Sequence, residues 1–345
     1  EIHGKDAFKL YDTYGFPLDL TQLMAEERKM TVDIDGFDVE MKNQKELAKS
    51  GQKFEMDNLD LKWNLETKSS HSIFVGYENE SISSKIINHA ESGEDIIIIL
   101  ENTPFYSESG GQIGDTGIIR NDDFSARVND TQKNGDYVLH ICTLTNGNIG
   151  DNLSVDCMID VDRRNNIKVN HTATHLLHQS LKDVLGNHVN QAGSLVHPEY
   201  LRFDITHPNK ISSKELESIE LIVNQKIDED ITVETSIKSL EEAKKEGATA
   251  LFGEKYGDQV RVVTMGEFSK ELCGGTHVSS TGKINKFKIK HDKAISSGIR
   301  RINAITHNQV DLYLKEKSEE LGLQKEAEQK KAEEKQSQSL SLIHI

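Results

Sequence analysis

The chain has 345 residues, with 41 basic and 57 acidic side chains and a formal net charge of −16. This length is enough to bury a sizeable core and predicts two or more domains. The negative charge argues against a protein that binds nucleic acid through indiscriminate attraction to phosphates, although it leaves a specific nucleic-acid substrate open.

Three cysteines, Cys142, Cys157 and Cys273, cannot all pair with one another, and no apolar signal segment opens the chain. We therefore expect a reducing, cytoplasmic setting rather than a disulfide scaffold. The longest apolar run, DIIIIL at 95–100, is far shorter than the roughly 20 residues of a membrane-spanning helix. We interpret it as a buried strand and predict no membrane association.

The first 60 residues predict a helical segment. Apolar residues recur at helical spacing after Leu18, and a second helix is expected between Gly36 and Gly51. The chain begins at Glu1 in what looks like the interior of a domain, so we expect it to be a fragment of a longer protein.

Residues 61–165 change to short β-rich runs separated by Gly, Asn and Asp, which predicts a small β-barrel or a sandwich, with the barrel favoured. The runs are SIFVGY, DIIIIL, TGIIR, YVLHICTL and LSVDCMIDVD. Among them lies TPFYSESGGQIGDTG at 103–117, whose glycines permit close approach of another molecule. A plain turn is the commoner explanation of such a cluster.

Residues 166–306 mix helices and strands, which predicts an α+β domain with a helix at 170–186, a strand at LRFDIT and a helix at 212–230. The alternating stretch KINKFKIKHDK at 283–293 predicts a strand with a basic outer face, serving either as a guarded sheet edge or as a phosphate contact. Residues 307–345 predict an exposed helix, and we expect the final SLSLIHI to be non-native sequence.

Two pairs of potential metal ligands lie in this domain. His171 and His175 are four residues apart, so a helix presents both imidazoles on one face. Cys273 and His277 have the same spacing, and the glycines between them favour a turn. Three nitrogens and one sulfur suit tetrahedral zinc. Either pair alone is more often two surface histidines or a small buried thiol. His178, one turn beyond His175, either supports the metal ligands from behind or is merely exposed, and we expect it to be exposed.

Ligand count alone does not decide what the metal does. Four protein ligands describe a closed structural site, whereas catalytic zinc usually keeps one position for water or substrate. The sequence leaves both a structural and a catalytic zinc open. In the catalytic case, a substrate would displace one weakly bound ligand.

The motifs together resemble the editing region of alanyl-tRNA synthetases, over residues 5–320. The stretches that carry the resemblance are TPFYSESGGQIGDTG, HTATHLLHQSLKDVLGNHVNQAGSLV, LRFDITH and ALFGEKYGDQVRVVTMGEFSKELCGGTHV, and FKLYDTYGFPLDLT resembles the end of that family's tRNA-recognition helices. The resemblance implies that one zinc ion lies in an editing site that hydrolyses seryl- and glycyl-tRNA(Ala). It also implies four zinc ligands: His171, His175, Cys273 and His277.

Further site residues are implied by the same resemblance. Gln191 matches a contact to the misacylated substrate, and Thr174 matches a position tied to serine discrimination; both are predicted catalytic-site residues. Asp12 or Asp19 matches an acceptor-stem contact, although either could be a helix cap. The remaining predicted substrate-binding residues are Ser109, Gly110, Gly111, Gln112 and Arg202.

The implied partner is tRNA(Ala), specifically its aminoacylated 3′ end. ATP and Mg²⁺ would serve only the aminoacylation core, which we expect upstream of Glu1 because nothing here resembles its class II motifs. Two alternatives remain: a threonyl-type or free-standing trans-editing domain, and a non-catalytic RNA-binding module that zinc only staples. The sequence does not specify an oligomeric state.

Overall fold

The computed structural model describes residues 2–14, 18–28, 30–41, 63–64, 71–250, 257–320 and residue 322. The later part of the helix predicted before Gly51 and the final SLSLIHI lie outside these residues. The described elements form three parts that follow one another along the chain: short helices, a barrel, and a mixed α and β unit. This order agrees with the predicted architecture.

The N-terminal part consists of α1 (Gly4–Tyr14), α2 (Leu18–Glu27) and α3 (34–41). The Asp33 carboxylate accepts a hydrogen bond from the Gly36 backbone N–H at 2.9 Å, which satisfies a free donor in the first turn of α3. The predicted helical segment is therefore present where the structure describes it.

The aspartates predicted to contact tRNA lie within these helices. Asp12 belongs to α1 and Asp19 to α2. Neither is the residue immediately before a described helix, and the alternative in which one of them caps a helix stays open. Their predicted contact with the acceptor stem stays a prediction.

The second part of the chain forms eight strands: β1 (Ile73–Phe74), β2 (Ser81–Ser92), β3 (Asp95–Leu100), β4 (Asn102–Thr103), β5 (Gly117–Arg120), β6 (Phe124–Asn134), β7 (Tyr137–Gly147) and β8 (Ser154–Ile159). Six of them close an antiparallel barrel in the order β2-β3-β7-β6-β5-β8, which resolves the choice between barrel and sandwich. The barrel interior is filled by apolar side chains from alternate positions of the strands, including Ile98, Ile119 and Val128. The short strands β1 and β4 form a separate parallel pair.

A 25-residue helix, α4 (Val161–Leu185), follows the barrel directly. The Asp160 side chain accepts a hydrogen bond from the Arg163 backbone N–H and starts the helix nine residues before the predicted position. The predicted domain boundary between 165 and 166 thus falls inside α4.

Arg164 anchors the first turn of α4 in the barrel. It is fully buried and forms an ion pair with Asp115, whose side chain is also buried. Its remaining N–H groups donate to the carbonyls of Gly76 and Pro104 at 2.8 and 2.9 Å. Three groups of the barrel loops, namely the Asp115 carboxylate and the carbonyls of Gly76 and Pro104, therefore hold Arg164 and fix the direction in which α4 leaves the barrel.

After α4 the mixed α and β unit contains the elements β9 (Gln191–Val196), β10 (Leu201–Thr206), α5 (Ser213–Asp228), β11 (Val233–Ser239), α6 (Leu240–Lys245), β12 (Gln259–Met265), β13 (Ser269–Leu272), a 3₁₀ turn (Thr281–Ile284), β14 (Phe287–Ser296) and β15 (Ile299–Thr306). The helices α4 and α5 pack against a four-stranded antiparallel sheet in the order β14-β15-β10-β9. A second sheet, β11-β12-β13, completes the unit. The helix α5 begins with a capping box between Ser212 and Glu215.

The basic stretch predicted at 283–293 overlaps the first part of β14 (Phe287–Ser296), which is an edge strand. Its lysines contact groups within the protein: Lys286 pairs with Asp311 at 2.5 Å and Lys288 with Glu220 at 2.7 Å. These contacts favour the guarded sheet edge over the phosphate contact.

The last described helix, α7 (308–320), is mostly exposed, as predicted. Among the residues that the structure describes, no helix has both the length and the apolar character needed to cross a membrane.

Candidate metal centre and its cavity

The four residues predicted to bind metal lie together. α4 presents His171 and His175 with their rings stacked 5.4 Å apart, and the turn after β13 presents Cys273 and His277. The Cys273 Sγ atom is 3.4 Å from Nε2 of His171 and 3.3 Å from Nε2 of His277. The four potential ligand atoms all lie within 4.8 Å of one another. This separation is short enough for one ion to contact all four.

The ring of His171 is held by the glycine loop of the barrel. Its Nδ1–H donates to the side-chain oxygen of Gln112 at 2.8 Å, and the same oxygen accepts the backbone N–H of Thr276 at 2.9 Å. Gln112 has no exposed surface. Because Nδ1 carries the proton in this contact, Nε2 is left with the lone pair that a metal needs.

The ring of His277 is held in the same way from α4. The Thr172 hydroxyl donates to the Lys168 carbonyl at 2.8 Å, so its oxygen is an acceptor for Nδ1–H of His277 at 3.2 Å. Burial and the neighbouring imidazoles lower the pKa of His277 to about 3. The contact of Nδ1 with Thr172 turns Nε2 towards Cys273, and the lowered pKa keeps Nε2 unprotonated.

Glu271 holds the third ring. One carboxylate oxygen lies 2.8 Å from Nδ1 of His175 and the other lies 3.0 Å from Nδ1 of His178. The prediction that His178 is exposed is wrong, because only 2% of its surface is accessible. It lies one helical turn beyond His175 on the face of α4 that is turned inward, so burial follows from the same spacing that places the metal ligands.

The charge of this cluster favours a bound cation. Burial opposes ionisation of the Cys273 thiol, but His171, His277 and His175 outweigh it and hold its pKa well below the ordinary value. Burial also lowers the pKa of His175, yet Glu271 and Cys273 more than compensate and raise it to about 10, so these two groups stabilise on this ring a positive charge that a bound metal ion would replace. The buried Nε2 of His175 has no hydrogen-bond partner among the described residues. An uncompensated buried nitrogen beside an acidic thiol fits a metal ligand, and the donor set suits zinc.

The turn that carries Cys273 and His277 is held through its backbone. The Arg261 guanidinium donates to the carbonyls of Cys273 and Gly275, both at 2.9 Å, and stacks over the ring of Tyr77. The Tyr77 hydroxyl donates to the Gly274 carbonyl. The barrel therefore supports this turn as well as His171.

Gly275 fits this arrangement because of its size. A Cβ atom at this position would overlap the imidazole of His171, whereas a Cβ at Gly274 would have no neighbour within 4 Å. The two glycines of the turn thus differ in what they allow: of the two, Gly275 alone packs against a predicted metal ligand, His171.

A cavity of about 460 Å³ opens beside the cluster. Three of the four ligand residues line it, together with Thr174, Gln191, Ser109 and Gly110 from the predicted site. The Thr174 hydroxyl donates to the Asn170 carbonyl at 2.8 Å, so its oxygen remains an acceptor for a ligand. The Gln191 side chain reaches the Ser194 hydroxyl at 3.2 Å. Apolar walls are contributed by Phe203, Val260 and Leu272.

Three other predicted residues do not line this cavity. Gly111 packs on β9, where its carbonyl accepts the Val196 backbone N–H at 2.7 Å. Gln112 lies behind His171, as described above. Arg202 lies on β10 with its side chain 30% exposed and its Nε 4.0 Å from Asp204. Their predicted contacts with substrate stay predictions.

Sequence reasoning missed Glu271, Tyr77 and Arg261, which all hold parts of the site. Glu271 had a signal, because it stands two residues before Cys273 in ELCGGTH. A carboxylate so close to a metal-binding thiol is a candidate partner for the outer nitrogen of a ligating histidine. No local pattern points to Tyr77 or Arg261, since their contacts depend on how the barrel docks.

Comparison with known proteins adds independent findings. The family described as tRNA synthetases class II (A) matches residues 1–163, and the family described as the threonyl and alanyl tRNA synthetase second additional domain matches residues 260–303. The chain is 46% identical over 332 residues to an alanine–tRNA ligase of Thermoanaerobacter sp., a match that covers 92% of this chain and 37% of the relative. It is 47% identical over 321 residues to an alanine–tRNA ligase of Haemophilus influenzae, with coverage of 90% and 36%.

A third relative, an alanine–tRNA ligase of Bacillus velezensis, is 47% identical over 317 residues, with coverage of 88% of this chain and 36% of the relative. The chain therefore spans little more than a third of the length of the relatives it matches.

Proposed function

We propose, for a chain that belongs to the alanine–tRNA ligase family, that the cavity beside the four ligands is an editing site. It hydrolyses the ester that joins serine or glycine to the 3′ end of tRNA(Ala). The longer protein of which the chain would be part attaches alanine to tRNA(Ala) in an ATP- and Mg²⁺-dependent reaction, as the names of its relatives suggest. Its expected location is the cytoplasm, where tRNA is charged.

One observation carries this proposal. The cluster of His171, His175 and Cys273 forms one wall of a cavity that also contains Thr174 and Gln191. A metal that only staples a fold does not require a polar cavity at its side. The cavity combines many polar side chains with the apolar side chains of Phe203, Val260 and Leu272, so it can bind a small polar ligand through hydrogen bonds as well as apolar contacts.

The side chains of the cavity divide into two groups. His171, His175, Cys273 and His277 would hold zinc, which when bound supplies a Lewis acid that orients the amino group or polarises the ester. Because four protein ligands leave little space for a further one, we favour a positioning role for the metal. Thr174 and Gln191 would then bind the amino acid through hydrogen bonds.

Selectivity explains what such a cavity would add. A pocket for alanine cannot exclude the smaller glycine, and it rejects serine poorly because one added hydroxyl gives a discrimination of about 10². A second site that hydrolyses esters small enough to enter, and that binds the serine hydroxyl, removes these products. The predicted role of Thr174 in serine discrimination agrees with its position in the wall.

The test is deacylation of seryl-tRNA(Ala), glycyl-tRNA(Ala) and alanyl-tRNA(Ala) by the purified chain with measured zinc content. We expect one zinc per chain and preferential hydrolysis of the seryl and glycyl esters. Cys273→Ala should lose zinc and hydrolysis, and Gln191→Ala should keep zinc but lose hydrolysis. The matched controls are Cys142→Ala, a buried thiol of the barrel, and Gln179→Ala, which pairs with Asp183 on α4.

A non-catalytic, zinc-stapled RNA-binding module is the second candidate, and the closed set of four ligands favours it. Folded protein with one zinc that binds tRNA(Ala) but hydrolyses none of the three esters would support this candidate and contradict the editing site. A free-standing or threonyl-type editing domain is less consistent with identities of 46–47% to alanine–tRNA ligases across nine-tenths of the chain.

A further inference from the structure

His178 is a buried histidine of the cavity wall that the metal cluster does not use. It lies on α4 one turn after His175, has 2% of its surface accessible and lines the same cavity. It is not among the four residues whose ligand atoms converge. Its place in the wall therefore needs another explanation.

The orientation of its ring is fixed. Nδ1 lies 3.0 Å from one oxygen of Glu271, whose other oxygen holds His175. The ring also packs against Phe203, with centroids 5.2 Å apart. With Nδ1–H donated to the carboxylate, the nitrogen that remains for a ligand is Nε2, and it is an acceptor.

This Nε2 is buried and has no hydrogen-bond partner among the described residues. Leaving such an acceptor unpaired destabilises the folded protein, and histidine is a poor choice for a wall position that only needs an apolar filler. This cost is recovered when a donor bound in the cavity reaches Nε2, which requires a small shift of the surrounding side chains because the atom itself is enclosed. The arrangement therefore points to a ligand that carries a hydrogen-bond donor.

We propose that Nε2 of His178 accepts a hydrogen bond from the side-chain hydroxyl of the amino acid bound in the cavity, which makes His178 a specificity-determining residue. The inference rests on the proposed editing function and deepens it. A cavity wall built to pair with a hydroxyl penalises a ligand that lacks one, because the acceptor then stays unpaired. His178 acts on hydroxyl-bearing esters and contributes little to the hydrolysis of glycyl esters.

Two substitutions separate the two ring nitrogens. In His178→Asn the short amide can take the place of Nδ1 and keep the contact with Glu271, but nothing replaces Nε2. In His178→Gln the longer amide can reach the position of Nε2. His291→Asn is the matched control, because His291 is exposed on β14 and does not line this cavity. Each variant is tested as the full 345-residue chain, with zinc content measured.

We expect His178→Asn to keep one zinc per chain and to hydrolyse seryl-tRNA(Ala) about tenfold or more slowly in kcat/KM, as the loss of one buried hydrogen bond predicts. Its hydrolysis of glycyl-tRNA(Ala) should change less than about threefold. His178→Gln should recover part of the seryl activity, and His291→Asn should match the unmodified chain.

A second measurement does not depend on hydrolysis. Binding of the non-hydrolysable amide 3′-deoxy-3′-(serylamino)adenosine is compared with that of its glycyl counterpart by calorimetry. His178→Asn should weaken only the seryl compound, by a similar factor.

Equal loss for seryl and glycyl compounds with zinc retained would overturn the inference and assign His178 to the chemistry or to the cavity shape. No loss for either would overturn it as well. If the unmodified chain binds the two compounds but hydrolyses neither ester, the editing proposal fails separately, and the binding comparison still decides the role of His178.

Discussion

The carboxylate of Glu271 lies 2.8 Å from Nδ1 of His175 and fixes the ring of a predicted metal ligand from behind. Burial raises the pKa of this carboxyl, but His175 and His178 more than compensate and hold it below its usual range, so it is ionised. A negative acceptor on the outer nitrogen increases the basicity of the inner one. Glu271 should therefore contribute to metal affinity without contacting the metal.

The Glu271→Gln variant tests this contribution. The amide keeps the size of the side chain but has one oxygen acceptor in place of two, so it cannot serve both histidines. We expect zinc affinity to fall by about 10- to 100-fold, measured by competition with a chromophoric chelator. Glu246→Gln, which alters an exposed carboxylate paired with Lys238, is the control. Unchanged affinity in Glu271→Gln would contradict the assigned role.

The two glycines of the Cys273 turn should respond differently to the same substitution. In Gly275→Ala the added methyl overlaps His171, so we expect loss of bound zinc and a loss of stability of about 1–3 kcal/mol. In Gly274→Ala the methyl meets no neighbour within 4 Å, so zinc content and stability should stay close to those of the unmodified chain. Zinc analysis and urea unfolding of the two variants side by side make the comparison, and equal behaviour would refute it.

The buried pair between Arg164 and Asp115 should be important for stability. Removing one partner leaves an uncompensated charge with no access to water, so Asp115→Ala should cost about 3–5 kcal/mol. Urea denaturation followed by circular dichroism measures the effect. Lys317→Ala removes one partner of an exposed pair and should produce no measurable change. A mild effect of Asp115→Ala would mean that water or an anion replaces the lost carboxylate beside Arg164.

His140 predicts a pH dependence of the barrel. It is fully buried between the Thr103 hydroxyl at 2.8 Å and the Ile98 carbonyl at 2.8 Å, and burial lowers its pKa from 6.5 to about 4, with the Ile98 contact opposing. The unfolded chain therefore binds a proton between pH 6.5 and about 4 that the folded chain does not. The free energy of unfolding therefore keeps its full value with respect to this group above pH 6.5. It falls by about 3 kcal/mol as the pH decreases from 6.5 to about 4.

The measurement is the thermal midpoint from pH 4 to pH 7 for the unmodified chain and for His140→Gln, which removes the titrating ring. The difference between the two curves isolates this histidine from the others. We expect the slope to be shallower in the variant. Parallel curves would show that His140 is not the group responsible.

The sequence predicted most of the site because its chemistry depends on short spacings. The pair His171 and His175 is defined by one helical turn, and Cys273 and His277 by a short glycine turn, so local geometry identifies each pair as a candidate. The convergence of the two pairs depends on tertiary structure; the donor set of three nitrogens and one sulfur predicted it, and the resemblance to a known family implied the same four ligands. His178 was misjudged because periodicity identifies a helical face but not what packs against it.

The barrel illustrates the same limit. The strands β3 and β7 were predicted from apolar runs, whereas β2 and β6 were not, since their outward positions carry Ser, Asn, Asp and Lys and their apolar residues are few. Strands of this kind are defined by partners far away in the chain. Gln112 is a comparable case, because nothing in a glycine-rich loop indicates that the side chain after two glycines will support a predicted metal ligand.

The helix α4 also fixes the distance and the rotation between its anchor in the barrel and the histidines of the cavity. Arg164, His171, His175 and His178 are separated by seven, four and three residues, so all four lie along one line on the helix surface. One end of that line is fixed in the barrel and the other enters the cavity. A single residue inserted between Arg164 and His171 would turn the histidines by about 100° with respect to their anchor. The number of residues between Arg164 and the histidines is thus as strictly constrained as the chemical identity of the predicted ligands. Natural or engineered insertions should be tolerated only outside this stretch.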